Sequence, residues 1–282
     1  MDTLIEQLYC NVEKIPFSKL ISNTPPKGKE YIILDTDTQA MLAFCSKDYR
    51  LRKNSSIYRV FERLLKKENI TFKKEIVIVG QTKFYVKYIT LSPLTSSTKV
   101  TDLLPMISIW NSYDGTVKTQ IHFGYYKMLC GNIFPRPTDC NFHTSSKHST
   151  TDEEFSKYNI PHFIDLYHEF ISHSKKDMKL FDKMYNYPAD KKVFDKISSS
   201  IKLSPDAHSW AWAELLKESQ GGYTYKNHLD EVVMYAGDKI SALMIYSAIN
   251  HAIYHTNNKE LPEKKNKRNC DLVEIILKIC TK

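Results

Sequence analysis

Glycine is scarce in this chain, and its scarcity argues against the commonest nucleotide-binding motifs. The sequence has only eight glycines in 282 residues. They form neither a glycine-rich phosphate loop nor a dinucleotide-binding fingerprint, both of which need several glycines so that backbone amides can approach phosphate groups. The sequence therefore predicts a protein that does not use ATP, and no cofactor is expected.

Long apolar runs and closely spaced cysteines are also missing. No stretch reaches the ~18 consecutive apolar residues of a membrane span, and the opening MDTLIEQLYC lacks the basic-then-apolar layout of a secretory signal. The six cysteines are scattered, with no Cys-x-x-Cys pair, so reduced thiols are expected rather than a disulfide framework. We expect a cytoplasmic protein with no membrane partner.

Positive charge is in excess, and the first half of the chain carries all of that excess. The formal net charge is +8, and residues 1–150 hold 21 basic and 13 acidic residues, whereas residues 151–282 hold 19 of each. Between Lys47 and Lys87 alone there are twelve basic and four acidic residues. Such a field attracts a polyanion, because neutralised phosphates release condensed counterions. A solvated lysine-rich surface explains the same count, so charge alone leaves both interpretations open.

Periodicity predicts a mixed arrangement of helices and strands at the start of the chain. Apolar residues at helical spacing indicate one or two helices within residues 1–22, and Tyr31 to Leu34 has the composition of a short buried strand. Capping side chains at residues 35–38 predict a helix over residues 39–44. Another helix is predicted to begin after Ser55 or Ser56, with one apolar stripe and one basic stripe.

That basic helix leads into a hairpin with basic and aromatic side chains. Two alternating segments, residues 70–79 and 83–91, are joined across Gly80 and Gln81. Bases interleaved with tyrosines suit single-stranded nucleic acid, since cations follow its backbone and rings stack on its bases. Tyrosines are also ordinary strand residues. The candidate contacts are Arg50, Arg52, Lys53, Arg59, Arg63, Lys66, Lys67, Lys73, Lys83 and Lys87 for phosphates, and Tyr85 and Tyr88 for stacking.

A second hairpin is predicted at the centre of the chain, over residues 106–123. Both of its segments alternate with a period of two, and Asp114-Gly115 supplies the positive backbone angles of a tight turn. Beyond residue 155 the pattern is mainly helical, with breaks at Pro188, at Ser204-Pro205 and in the charged stretch LPEKKNKRN, which is predicted to be a loop. The fold class is therefore α+β: a central antiparallel sheet of hairpins with a packed basic helix, residues 1–155, followed by a helical region, residues 156–282.

The central hairpin also carries a short motif. Asn111-Ser112-Tyr113-Asp114-Gly115 is followed by Cys130-Gly131-Asn132 and then by His143-Thr144 or His148-Ser149. This order resembles a protein family of bacterial phages and plasmids, catalogued as domain of unknown function 932, and residues 241–255 resemble a late helix of that family that closes with a histidine. The resemblance implies a mobile-element protein of a bacterial host cell and implies no reaction. Its motif residues here are Asn111, Ser112, Asp114, Gly115, Cys130, Asn132 and His143, with His148 as the alternative histidine.

Two functional hypotheses follow, with a third class kept open. The first is a non-catalytic protein that binds single-stranded nucleic acid, expected to be DNA, and promotes strand annealing in replication or recombination as a homo-oligomer. Its hairpins packed on a helix resemble the layout of single-strand annealing proteins, which is an architectural analogy only. A regulatory or host-defence interaction protein is the third class.

The second hypothesis is a metal-dependent enzyme resembling a nuclease. Histidines and cysteines follow the central hairpin, and these are residue types that bind metals or act as nucleophiles. The nine residues between Cys130 and Cys140 exceed the short chelating steps of structural zinc sites, and paired carboxylates are missing near them, which weakens this hypothesis. Its candidate residues are His122, Cys130, Cys140, His143 and His148, beside Asp114.

Overall fold

A computed structural model gives the fold of the chain. It describes residues 2–20, 24–91, 103–127, 132–139, 143–146, 148, 160–221, 223–226, 232–235, 239–255 and 260–281. Antiparallel sheets occupy the first half and helices dominate the second, which confirms the predicted α+β class.

The chain forms two compact units whose ranges alternate along the sequence. The first unit contains Met1–Thr90, Ile107–His122 and His143–Glu169, and the second contains Leu91–Met106, Phe123–Phe142 and Phe170–Lys282. We call them the basic unit and the helical unit. Their ranges differ from a single division at residue 155, because the chain passes from one unit to the other several times.

The basic unit begins with helix α1, Asp2–Leu8, and a small antiparallel sheet. Its strands are β1, Val12–Pro16; β2, Tyr31–Asp35; and β3, Met41–Cys45. Two predictions are corrected here: the second half of the N-terminal helical segment forms β1, and the helix over 39–44 is strand β3. The side chain of Asp35 accepts hydrogen bonds from the backbone amides of Asp37 and Thr38. The predicted capping residues therefore form a turn between two strands instead of starting a helix.

The predicted basic helix follows a wide helical turn, Ser55–Arg59, and is α2, Val60–Lys67. The hairpin after it is confirmed as β4, Phe72–Val79, and β5, Lys83–Thr90, which pair antiparallel across Gly80 and Gln81. Gly80 has a φ of +59° and Gln81 a φ of +62°. Both angles are left-handed and turn the chain at this dipeptide. Glycine adopts such an angle without steric cost, which explains its place at the first of the two positions.

The larger sheet contains six strands in the part of the chain that the structure describes. The strands that follow β5 are β6, Leu103–Ser112; β7, Thr119–Lys127; β8, Asn132–Pro135; and β9, His143–Ser146. Their order is β4-β5-β6-β7-β8, and β9 also pairs with β7. The predicted central hairpin is thus β6 and β7, joined by the loop that contains Asp114 and Gly115.

The remaining elements are mainly helical. They are α3, Ile160–Asn186; α4, Lys191–Ser200; α5, Pro205–Gly221; β10, Tyr223–Lys226; β11, Val232–Tyr235; α6, Ala242–His255; and α7, Pro262–Cys280. The charged stretch that was predicted to be a loop is the first half of α7 instead. Pro262 is tolerated in its first turn, where the missing amide has no intrahelical partner. Among the described residues, no helix is both long and apolar enough to span a membrane.

Candidate nucleic-acid interface

Helix α2 separates its apolar and basic side chains onto two faces. Ile57, Phe61 and Leu65 are buried, and the ring of Phe61 packs 4.9 Å from that of Tyr88 on β5. The burial follows from the spacing of three or four residues that the sequence provides. The four basic residues of the predicted stripe are all exposed, so the structure places Arg59, Arg63, Lys66 and Lys67 at the surface as predicted.

The one acid within α2 is held by three side chains of the same unit. The carboxylate of Glu62 accepts hydrogen bonds from the Tyr9 hydroxyl at 3.1 Å, the Lys74 ammonium at 2.9 Å and the Tyr88 hydroxyl at 3.2 Å. Burial and the adjacent Glu62 carboxylate raise the pKa of both tyrosines, so both hydroxyls keep the proton that they donate. The Glu62 carboxylate is therefore occupied by these three groups, and among the described residues its salt bridge is with Lys74 rather than with the outer bases.

The outer bases themselves make few competing contacts. Arg59 lies over the ring of Tyr9, 4.8 Å from its centroid, and Arg63 Nε donates to the carbonyl of Arg59 at 3.3 Å. Among the described residues, no carboxylate forms a salt bridge with any of the four bases of this face. We call Arg59, Arg63, Lys66 and Lys67 the α2 basic face. It can attract anions at long range and contact phosphates directly.

Five other predicted phosphate contacts differ in how exposed they are. Arg50, Lys53 and Lys73 are exposed. Lys83 and Lys87 are half-buried on the hairpin, and the β4–β5 register places them with Lys73 on one sheet face. On that face Glu75 forms ion pairs of 3.3 Å with both Lys73 and Lys87, which lowers the net charge of the hairpin relative to α2.

Three predicted contact residues lie in the core, which corrects their assignment. The side chain of Arg52 is fully buried, and its Nη1 donates to Thr119 Oγ1 at 2.7 Å. Tyr85 is 2% exposed and packs edge-on against Trp110, while Tyr88 is fully buried against α2. A base cannot stack on a ring that is already covered, and a phosphate cannot reach a buried guanidinium. These three residues therefore stabilise the fold.

The motif residues of the central hairpin form a buried polar cluster. Asn111 is fully buried; its Nδ2 donates to Asn54 Oδ1 at 2.9 Å, and its Oδ1 accepts from Thr119 Oγ1 at 2.9 Å. The same Nδ2 reaches the carbonyl of Arg52 at 3.2 Å. Ser112 is also buried and exchanges two 3.0 Å bonds with the backbone of Val117 across the hairpin. The motif thus closes the hairpin and ties it to the segment before α2.

Asp114 and Gly115 fix the hairpin turn. Asp114 Oδ1 accepts from the amide of Thr116 at 2.9 Å, and its Oδ2 accepts from Thr82 Oγ1 at 3.0 Å. Burial would raise the pKa of Asp114, but these hydrogen bonds outweigh it and hold that pKa below its usual value. Gly115 has a φ of +71°, and a Cβ there would lie 3.1 Å from the ring of Tyr49. The turn residues thus have structural roles in the contacts that the structure describes.

The residues of the metal-dependent hypothesis are only partly described. Cys130, Cys140 and the side chains of Asn132 and His143 lie outside the described residues. His148 stacks on Tyr49 with ring centroids 5.0 Å apart, and burial followed by the nearby Arg52 charge lowers its pKa. His122 contacts Gln120 Oε1 at 2.8 Å instead. Within the described ranges, no group of three or more His, Cys, Asp or Glu residues is arranged for a metal ion.

Sequence reasoning missed the inward position of Glu62. A signal existed, since Glu62 lies four residues after Tyr58 and three before Leu65, both of which are buried, and so shares their side of the helix. The role of Tyr9 carried no such signal, because its bond to Glu62 joins residues 53 positions apart. Long-range partners of this kind become visible only in the folded chain.

Comparison with known proteins gives one match. No curated protein and no solved structure matches this chain. The late helix that resembled the family, residues 241–255, lies outside the one segment that does match. Residues 41–171, which include α2 and the central hairpin, match the model of the family described as Domain of unknown function (DUF932), and this confirms the predicted resemblance over that segment.

Proposed function

We propose that this protein binds single-stranded DNA through the α2 basic face and promotes strand annealing in the replication or recombination of a mobile element. One observation carries the proposal: four exposed bases share one helix face, while the acid of the same helix is held inside by three hydrogen bonds. A cationic face of this kind attracts the phosphate backbone of any sequence, because each neutralised phosphate releases counterions.

Arg50, Lys53 and Lys73 extend the proposed phosphate contacts beyond the helix. All three are exposed on the same unit as α2. Phosphate contacts position a nucleic acid without reading its bases, so binding is expected to be independent of sequence. Annealing needs no nucleotide cofactor, and a homo-oligomer would present several α2 basic faces to one strand.

The test is a binding titration with a matched charge control. A labelled, unstructured oligonucleotide is titrated with the protein at low and moderate salt, and fluorescence anisotropy reports binding. The variant Arg59→Glu/Arg63→Glu/Lys66→Glu removes most of the α2 basic face. The control Lys175→Glu/Lys176→Glu/Lys179→Glu makes the same charge change with three exposed lysines of α3.

We expect the original protein to bind tightly and in a salt-sensitive manner. Binding should be lost in the α2 variant and retained in the α3 variant. Loss of three phosphate contacts should flatten the slope of log affinity against log salt by ~2, since each contact on a single strand contributes ~0.7. Equal weakening by both variants would show a general charge effect and would contradict the α2 assignment. Binding would then be followed by an annealing assay with complementary strands and a mass measurement of the free protein.

The same protein and oligonucleotide also test the enzymatic alternative. Cleavage of the oligonucleotide that a chelator stops would replace the proposal with the metal-dependent hypothesis. An absence of binding at low salt would end the nucleic-acid proposal, and the regulatory or host-defence class would then be the next to test.

A further inference from the structure

Three aromatic side chains lie in a row on helices α5 and α6 of the helical unit. The ring of Trp210 stacks on that of His251, with centroids 5.0 Å apart and planes inclined by 14°. His255 lies one helical turn beyond His251, and their ring centroids are 4.0 Å apart. Trp210 and His251 are half-buried, whereas His255 is exposed. The stack therefore runs from a supported tryptophan to a ring that solvent reaches.

The middle ring is uncharged at neutral pH. Burial, followed by the neighbouring His255, lowers the pKa of His251 from 6.5 to about 4. Glu214 acts in the opposite direction, and its carboxylate also forms a 2.7 Å ion pair with Lys217. The neutral imidazole of His251 adds no fixed positive charge to the stack and links the tryptophan to the exposed ring of His255. The flat faces of aromatic rings suit those of nucleobases.

Exposed lysines lie on the helix that adjoins the last turn of α6. Lys265 Nζ donates to the carbonyl of Tyr254 at 2.8 Å, which places the first turn of α7 beside the last turn of α6. On either side of Lys265 in the sequence, Lys264 and Lys267 are exposed. Within the described part of the chain, neither forms a salt bridge, whereas Arg268 pairs with Glu260 at 3.2 Å.

We infer that Trp210, His251 and His255, together with Lys264 and Lys267, form a second contact for single-stranded nucleic acid, in which a base stacks on the His255 ring and the lysines neutralise phosphates. The inference rests on the proposed function. Aromatic rings interleaved with cations are the recurring means of holding single strands without reading their sequence. Because Tyr85 and Tyr88 are covered, this stack supplies the exposed ring that the basic unit does not offer at those positions.

The first test separates the ring of His255 from its charge. His255→Ala removes the ring, and His255→Phe keeps a ring that cannot be protonated. Affinity for labelled oligothymidine should fall about fivefold or more in His255→Ala, as expected for one lost base stack. It should stay within about twofold of the original value in His255→Phe. An unchanged affinity in His255→Ala, or an equal loss in both variants, would overturn the inference.

The second test asks whether the strand touches the stack. Oligothymidine should quench tryptophan emission more in the original protein than in Trp210→Phe, and equal quenching would overturn the contact. Lys264→Gln/Lys267→Gln should reduce the slope of log affinity against log salt by about 1.4, because two phosphate contacts are lost. The control Lys175→Gln/Lys176→Gln should leave this slope unchanged. Unchanged salt dependence in the first pair would remove the lysines from the site.

The α2 charge variant, measured in parallel, distinguishes this inference from the proposed function. If that variant loses binding while His255→Ala retains it, the proposed function stands and the second contact is wrong. If the unaltered protein does not bind oligothymidine at all, both are wrong. Circular dichroism of each variant confirms that the helices are intact.

Discussion

Each unit contains a buried polar cluster, and the two clusters hold their charges differently. In the helical unit, the Asp177 carboxylate accepts bonds from Tyr125, Arg136 and Thr138, and its 3.1 Å ion pair with Arg136 leaves those side chains 0% and 3% exposed. In the basic unit, the contacts around Asn111 join amides, hydroxyls and carbonyls, and the buried Arg52 guanidinium donates to the Thr119 hydroxyl of the same cluster. One cluster pairs a buried guanidinium with a carboxylate, and the other is built on hydrogen bonds among neutral groups and from one buried guanidinium to a hydroxyl.

The two clusters should differ in how strongly a single substitution destabilises them. Removing one partner of a buried ion pair leaves an uncompensated charge, whereas removing one neutral group leaves a donor or acceptor unsatisfied. The helical unit should therefore be more sensitive at one residue, and the basic unit should show smaller losses that are shared among several residues.

The largest effect is expected for Asp177→Asn. The substitution keeps the size of the side chain but leaves the charge of Arg136 buried, which should cost ~3–5 kcal/mol of unfolding free energy. Urea unfolding followed by circular dichroism measures it. Asp165→Asn, at an exposed position of α3, is the control and should change stability by less than ~0.5 kcal/mol. Equal losses in the two variants would contradict the role of the buried pair.

Smaller losses are expected in the cluster around Asn111. Asn111→Ala removes three hydrogen bonds and should cost ~1–3 kcal/mol, because its former partners remain buried. Thr119→Val removes one shared partner. Their joint cost should be smaller than the sum of the single costs, since the two side chains belong to one network. Strict additivity in the double-mutant cycle would show that the cluster does not act as a unit.

The hairpin turn should show an intermediate effect with an internal reference. Gly115 and Gly28 have nearly the same φ, +71° and +72°, but only at Gly115 would a Cβ meet a neighbour, the Tyr49 ring at 3.1 Å. Alanine should cost ~1–2 kcal/mol at either position for the left-handed backbone. Gly115→Ala should lose about 1 kcal/mol more because of the contact. Thermal unfolding of both variants measures the difference, and equal losses would show that Tyr49 moves aside freely.

The smallest effect concerns pH. Burial lowers the pKa of His148 in the basic unit and of His251 in the helical unit, the latter to about 4. An unfolded chain binds these protons first, so the stabilisation is complete above a pH of ~6.5 and is lost as the pH falls through the folded pKa values. Both rings are partly exposed, so solvent screening keeps the effect modest.

Unfolding at pH 7 and at pH 5 measures this loss, and His251→Gln should reduce it. A variant with the same pH dependence as the original protein would show that His251 does not contribute. Proton chemical shifts of the imidazoles should place the titration of His251 well below the ordinary histidine value of ~6.5.

The sequence predicted those parts of the fold that local chemistry decides. Alternating side chains with Gly80-Gln81 and Asp114-Gly115 identified both hairpins, because turn geometry and a period of two are local properties. Residues 39–44 were wrongly predicted to be helical. Six residues are too few for a helical period to stand out, and the side chains around Asp35 cap a helix or fold a turn equally well.

The candidate site was predictable on α2 and much less so elsewhere. Helical spacing alone separates the basic stripe from the apolar one, and the structure keeps them apart. The burial of Arg52 depends on a bond to Thr119, 67 residues away, and that of Tyr85 depends on Trp110. No pattern within a short stretch of sequence contains such information. Charge and aromatic composition therefore predicted more exposed binding residues near β5 than the structure has.

Because the buried and the basic residues of α2 are separate, the charge of its outer face can change without loss of the buried contacts. Ile57, Phe61, Glu62 and Leu65 supply the buried contacts of the helix with its unit, whereas the outer bases are exposed and only Arg59 among them lies over a ring, that of Tyr9, in the described contacts. A library that randomises Arg59, Arg63, Lys66 and Lys67 should consist mainly of folded proteins that differ in surface potential. Selection could therefore tune how strongly this face attracts a partner without passing through unfolded intermediates.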